Sequence, residues 1–313
     1  MGGKPMKTKW TLSGIDLVCP SCKGSLSDSE ASLDCEGCGQ RYEKAEGIPV
    51  MLSKSDPSAA RKEEIQTIFT SINQVLENKG LSRFSTFVNW GYAPLDEEEG
   101  SSRPGAINQS SIRLLQEIIG DHDLANLDVL EIGCGRGGNI NALCRSFGPR
   151  SVVGLDLTPS NIVFCERNNR FDHAHFCVGD AEELPIGSGS CDVVLNIESS
   201  HLYPNIGRFY EEVYRVLKPG GLFLYADVLN APEFEVNEAE LHRLGFRMTL
   251  SRDITPNVLR SGDASLRSRI HALDGTFGND DGTLEWLEAP GTQNHKDMMD
   301  GRRLFKILHF VKG

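Results

Sequence analysis

The stretch LDVLEIGCGRGGNINAL, residues 127–143, restricts the fold more than any other part of the chain. Its apolar run from Val129 to Ile132 reads as a strand, glycines follow, and a helix begins behind them. Gly133, Gly135 and Gly137 let the backbone pass close to a ligand where side chains would collide. The helix aims its free N–H groups at the same ligand. Alone, the stretch is ambiguous, because Gly133, Gly135 and Gly138 also fit the G-x-G-x-x-G of a dinucleotide site.

The strand–turn–helix pattern then repeats. SVVGLDLT ends a second strand on Asp156, placed to accept hydrogen bonds from ribose hydroxyls, as it would also be in an NAD enzyme. FCVGDAEELPIGSGSCDVVL ends a third strand on Asp180, suited to an adenine amino group, and supplies a fourth. VYRVLKPGGLFLYADV gives a helix stopped by Pro219–Gly221 and a fifth strand. Glu131-x-Gly133-x-Gly135-x-Gly137, the Gly179-Asp180-Ala181 turn and the Leu-Lys-Pro-Gly-Gly turn, in this order, resemble a class I S-adenosylmethionine-dependent methyltransferase over roughly residues 84–313.

That resemblance implies an α/β, Rossmann-like seven-stranded sheet with helices on both faces. LFKILHFVK would be its last, antiparallel strand and GFRMTLSRDIT the one before it. It also implies S-adenosyl-L-methionine as cofactor. Glu131 and Gly133 would approach its methionine part, with Gly135 and Gly137 in the same turn. Asp156 with Leu157 would meet the ribose, Asp180 with Ala181 the adenine, and Asn196 would stand at the end of strand four. NWGY before the core and ESSHLYP after strand four most resemble small-molecule O-methyltransferases of natural-product and lipid biosynthesis.

The N-terminal segment departs from the simplest members. Cys19-x2-Cys22 and Cys35-x2-Cys38 lie twelve residues apart, each pair followed by glycine. Four thiolates at this spacing suit one tetrahedral, structural zinc in a ribbon over residues 15–53. So short a module has too little apolar core to fold alone, so the metal would supply the missing stability from outside the core. Some rRNA guanine methyltransferases also carry a four-cysteine ribbon, which keeps RNA open as a substrate. Against it, residues 1–55 hold seven Lys/Arg and seven Asp/Glu, and the whole chain carries a net charge of -12. Phosphate backbones need a basic face. The ribbon therefore reads as a structural or protein-contact element, with a homo-oligomer left open.

The nine cysteines, four patterned and five scattered, point to a reducing cytoplasm and not to a disulfide framework. Neither a signal peptide nor a membrane-spanning run is legible, so no membrane insertion is expected. Residues 54–120 read as a helical linker and cap. One helix starts with Asp56 as N-cap and Pro57 at its first position. A second runs from about Asn108 to Ile119, with Ile112, Leu115, Ile118 and Ile119 on one face. Asp96 to Glu99 reads as a solvated loop. The core is residues 121–313, and the Gly-, Asp- and Asn-rich segment 254–300 reads as a lid over the pocket of a small-molecule acceptor. Trp286 and Phe277 would face the substrate or anchor that lid.

A hydroxyl acceptor must lose its proton. NIESSHLYPN, residues 196–205, puts an imidazole at the end of strand four, where ligands bind in open α/β sheets. His201 is the candidate base. Asp227, closing strand five, would orient its ring. Glu198 reads as a holder of backbone amides or of the cofactor's ammonium group, and Cys134 as a small residue tolerated in the glycine turn.

Overall fold

The computed structural model describes residues 11–12, 14–53, 57–96, 107–274 and 280–313. The ribbon contributes β1 (Thr11–Leu12), β2 (Ile15–Asp16), β3 (Leu26–Asp28), β4 (Ser32–Cys35), β5 (Arg41–Ala45) and β6 (Ile48–Met51). Two helices follow, α1 (Ala59–Asn78) and α2 (Gln109–Ile119). The core then alternates: β7 (Asp128–Ile132), α3 (Gly138–Ser146), β8 (Ser151–Asp156), α4 (Pro159–Asn168), β9 (Ala174–Gly179), β10 (Cys191–Ile197), α5 (Ile206–Val216), β11 (Leu217–Asn230) and α6 (Ala231–Leu244). The last elements are β12 (Phe246–Asp253), α7 (Thr255–Leu273), α8 (Asp280–Trp286), α9 (Gln293–Met299) and β13 (Arg303–Lys312).

Parallel strands covered on both faces must be apolar throughout. Every residue of β7 and β8 is buried. At the far edge, β12 starts on the buried Phe246 and then alternates exposed and half-buried residues, as a strand covered on one face should. Among the described residues one sheet runs β12-β13-β11-β10-β7-β8-β9-β6-β5-β4-β3. Strands β11 through β9 in that order are parallel, and β13 is antiparallel to both β11 and β12. The order reverses between β7 and β10, so a crevice opens at their carboxyl ends.

The expected seven strands, β12 to β9, are there, but the sheet does not stop with them. β6 adds in parallel to β9, with Val50 opposite Val178 and Met51 opposite Gly179. The ribbon is thus continuous with the sheet and does not lie outside the core. Ile15, Leu17, Leu33, Tyr42 and Met51 belong to the same buried cluster as Leu130, Val153 and Phe223. Lys23 Nζ also donates to Glu212 of α5 at 2.8 Å.

The cap and the 254–300 segment differ from their sequence reading as well. Helix α1 begins at Ala59 with Ser58 at its N-cap, and Pro57 lies in the turn before it; Asp56 lies outside the described residues. On α2 the buried face is Ser111, Leu114, Leu115, Ile118 and Ile119, while Ile112 is exposed. Asp96 is an exposed bend, and Glu97 to Glu99 lie outside the described residues. The 254–300 lid is largely helical: α7, α8 and α9 occupy it. Helix α7 starts where Asp253 Oδ1 accepts the amide of Thr255 at 2.8 Å. Its Leu273 packs with Leu287 against Ile72 and Leu76 of α1, so cap and insertion share one small core. Phe277 lies outside the described residues.

Candidate active site

The crevice is a cavity of about 310 Å³, walled by the turns after β7, β8, β9 and β10, by α1, by residues 86–90 and by the α7–α9 insertion. The glycine turn sets its floor. Gly133 has φ 72°, and a Cβ there would sit 2.2 Å from Ser199 Oγ, so the turns after β7 and β10 touch. A Cβ on Gly135 would meet only Val88, at 3.8 Å, and Gly135 lines the cavity. Its amide donates to Asp156 Oδ2 at 2.8 Å. The other carboxylate oxygen accepts from the Thr158 amide at 2.8 Å and from Asn161 Nδ2 at 3.1 Å. Burial pushes this carboxyl above its ordinary range even against those bonds. Asp156 therefore holds two loops together as well as facing the cavity.

Asp156, Leu157, Asp180, Ala181, Gly133, Gly135 and His201 all line the cavity. Glu131, Gly137, Asn196 and Asp227 stand behind the lining. The buried Glu131 accepts from Asn139 through Oε1 at 2.7 Å, while Oε2 has no partner among the described residues. Desolvation pushes its carboxyl up to about 8, with Asn139 opposing the shift and the charge of Asp156 adding to it. Asn196 is fully buried, and its amide donates to Ile132 O, Ser199 Oγ and Tyr203 Oη, tying the turns after β7 and β10.

Sequence reasoning missed Lys62. Its ammonium reaches from α1 to Asp180 Oδ2 at 2.6 Å and Glu182 Oε2 at 2.8 Å, and all three residues are buried on the cavity wall. The signal was a lysine three residues ahead of Ile65, on the apolar stripe of the helix. Glu198 takes the amide role foreseen for it: both its oxygens accept from the Trp90 N–H at 3.0 Å, pinning the NWGY segment to the end of β10. Burial holds this carboxyl well above the usual range, opposed by the Trp90 amide and the charge of Arg269. Arg269 in turn donates to the carbonyls of Asn89 and Trp90.

His201 sits in a 3-10 turn, Ser200–Leu202, directly after β10. Its Nδ1 lies 2.7 Å from Oδ1 of Asp227, which is fully buried in β11. Asp227 Oδ1 also accepts the Val228 amide at 2.8 Å; Oδ2 accepts the His201 amide at 3.1 Å and the Ser200 hydroxyl. Burial alone would lower the imidazole's pKa, but the charge and hydrogen bond of Asp227 outweigh it and raise the value. Burial likewise opposes ionisation of Asp227, and the His201 contact wins there too, holding the carboxyl below its usual range. In the neutral ring, an ionised carboxylate at Nδ1 favours the tautomer with the proton on that nitrogen, which leaves Nε2 its lone pair.

This strand order, with a glycine turn at the switch point and carboxylates after β8 and β9, defines an α/β enzyme that binds an adenosyl ligand. Residues 130–225 match the family model described as a methyltransferase domain. The chain is 42% identical over 237 residues to the phthiotriol/phenolphthiotriol dimycocerosates methyltransferase of Mycobacterium tuberculosis, covering 72% of this chain and 85% of the relative. It is 33% identical over 239 residues to the fatty-acid O-methyltransferase of Mycolicibacterium smegmatis, covering 72% and 83%. The chain belongs to the class I S-adenosylmethionine-dependent methyltransferases. The fold is shared by the cyclase SpnF, at TM-score 0.64 and 16% identity over 82% of this chain and 97% of that one. It is shared too by a geranyl diphosphate methyltransferase solved with geranyl diphosphate and sinefungin, at TM-score 0.59 and 18% identity over 81% and 100%. The NAD-linked oxidoreductase that the glycine turn left open is set aside by this membership.

The four ribbon cysteines form a candidate metal site, with Sγ atoms all within 4.8 Å of one another. No helix among the described residues is long and apolar enough to cross a membrane.

Proposed function

We propose that the protein methylates a hydroxyl of a lipid-like small molecule, with His201 as the base. The observation that carries this reading is the 2.7 Å contact between Asp227 and Nδ1 of an imidazole on the cavity wall. It leaves Nε2 free to take the acceptor's proton. Asp227 touches only protein, so it is a positioning residue that fixes the tautomer and stabilises the imidazolium. S-adenosylmethionine, when bound, supplies a methyl group on a positively charged sulfur.

The residues present fit that cofactor. Glu131, with an unpartnered buried oxygen, and Gly133 would hold its methionine part, Asp156 with Leu157 the ribose, and Asp180 with Ala181 the adenine. Gly135 and Gly137 keep the turn free of side chains, and Asn196 fixes the spacing of the two turns. The lining also includes Leu202, Val228, Trp286 and Leu287, an apolar set suited to an alkyl chain. The printed substrates of the two mycobacterial relatives support a lipid-like acceptor.

For the ribbon we propose one structural zinc on Cys19, Cys22, Cys35 and Cys38. The Cys22–Cys35 and Cys19–Cys38 sulfurs lie 3.4 and 3.7 Å apart. Tetrahedral zinc with 2.3 Å bonds requires S–S edges of about 3.8 Å. Gly24 permits this closeness: a Cβ there would stand 3.1 Å from Cys22 Sγ and 3.3 Å from Cys35 Sγ.

The catalytic reading is tested with His201→Ala, labelled methyl donor and a panel of long-chain alcohols. Turnover should fall about 10²–10⁴-fold while S-adenosylmethionine affinity holds. Near-normal turnover would remove His201 from the chemistry.

A further inference from the structure

At the acceptor end of the cavity a second pair of charged side chains stands beside His201. Glu288 follows α8, and Arg303 opens β13; both line the cavity. Arg303 Nη2 donates to Glu288 Oε1 at 2.9 Å. Glu288 is 94% buried by its 6% exposure, yet its Oε2 has no partner among the described residues, and neither has Arg303 Nε. Native proteins seldom leave buried polar atoms unmet, and because both residues line the cavity the pair marks a place for a ligand's own polar group.

The backbone adds an independent sign. Glu288 has φ 48°, a left-handed position after a helix where glycine or asparagine sits at lower cost. Glu198, another acid lining this cavity, has φ 49°. Strained non-glycine positions persist where the side chain is needed.

Resting on the hydroxyl-methylating reading above, we infer that Glu288 and Arg303 form a subsite for a second hydroxyl of the acceptor, so that the enzyme selects a diol-type head group and excludes a carboxylate. One hydroxyl can accept from Arg303 Nε–H while donating to Glu288 Oε2. A carboxylate has no proton to give and would face Glu288 with a second negative charge. The single charge of Arg303 is shared with Glu288, so a carboxylate would leave the group with one negative charge in excess. The charges of Asp227 and Glu285 also bear on Glu288, against those of Arg303 and His201. An acceptor with a single hydroxyl would occupy His201 and leave the pair unmet. Sites built to hydrogen-bond a substrate hydroxyl reject analogues that lack it.

The experiment uses full-length protein loaded with S-adenosylhomocysteine and measures binding of a vicinal hexadecanediol, hexadecanol and hexadecanoate, each in neutral detergent micelles. Wild type should bind the diol about 10–100-fold more tightly than the monol, the usual reach of a charge-assisted bond. Hexadecanoate should bind more weakly than either. Glu288→Gln and, as a second variant, Arg303→Met should bring the diol and monol within about threefold. Glu288→Gln should also admit hexadecanoate. Unchanged S-adenosylhomocysteine affinity in the variants confirms that the fold is intact. Hexadecanoate binding as tightly as the diol, a preference that survives both variants, or binding of none of the three would each overturn the subsite. His201→Ala separates the two readings: it should lose turnover and keep the diol preference. If turnover survives there, the base assignment falls and the subsite stands.

Discussion

Replacing Asp227 by asparagine tests the His201 pair at its buried end. Asp227 Oδ2 accepts from the His201 amide and Ser200 hydroxyl, and Oδ1 from His201 Nδ1 and the Val228 amide. Each oxygen thus meets one backbone N–H. An asparagine amide group must replace one oxygen by NH2, so either orientation sets N–H against a backbone N–H. That orphaned donor costs about 1–3 kcal/mol of stability. Activity suffers separately, because the imidazolium formed on proton uptake loses a charged partner worth about 1.5–3 kcal/mol. At 1.36 kcal/mol per tenfold, turnover should drop about 10–150-fold, less than for His201→Ala. The sign of the pH effect follows from the shifts. Asp227 raises the pKa of His201, and catalysis needs the neutral ring, so wild-type turnover rises with pH through a raised value. Without the carboxylate, burial acts alone and lowers it. The variant's profile should move to lower pH, with its defect smallest in acid. The stability gap should be widest between about pH 4 and 6.5. It should shrink as pH falls through the lowered value of Asp227 or rises through the raised value of His201. Turnover with labelled methyl donor from acid to alkaline pH, alongside thermal melts, reads both. An unchanged profile, or one displaced upward, would refute the argument.

Glu131, protonated below about pH 8 in the free protein, should ionise when a cationic ligand binds. S-adenosylmethionine binding at neutral pH should therefore release a proton, and affinity should rise with pH up to that value. Calorimetry in buffers of different ionisation enthalpy reads the release, and Glu131→Gln should abolish it. Protein purified without added metal should hold about one zinc per chain by elemental analysis, and Cys19→Ser should lose it. Because the ribbon's apolar residues share the main core, that variant should melt at lower temperature and still keep its sheet.

The glycine turn and the carboxylates at positions 156 and 180 were legible because each ends an apolar run that can only be a buried parallel strand. His201 was legible for the same reason, as a polar group at the end of CDVVLN. Lys62 was not, since a helical stripe normally means packing and a lone lysine breaks it only weakly. The α7 helix was hidden by composition: the glycines and aspartates of 254–300 outweighed Val258, Leu259, Leu266, Ile270 and Leu273, which recur at helical spacing. The pairing of β6 with β9 left no trace at all, because backbone hydrogen bonds between strand edges impose no side-chain pattern. Glu288 and Arg303 lie on separate elements, and only folding makes them neighbours.

Sheet order divides the cavity between two supports. The ribbon joins at β9, the strand that ends on Asp180, and α1 follows directly from the ribbon to place Lys62 against Asp180 and Glu182. Two contacts therefore link the N-terminal elements to the carboxylate proposed for the adenine, the β6–β9 pairing and the Lys62 ion pair. The Glu288–Arg303 pair hangs instead from α8 and β13, on the opposite side of β7. His201, in the turn after β10, and Asp227, on β11, lie between the two. The two supports meet at α1, whose Ile72 and Leu76 pack against Leu273 and Leu287 of the insertion. The ribbon covers the β9 edge of the sheet through β6 and is tied to α5 by Lys23.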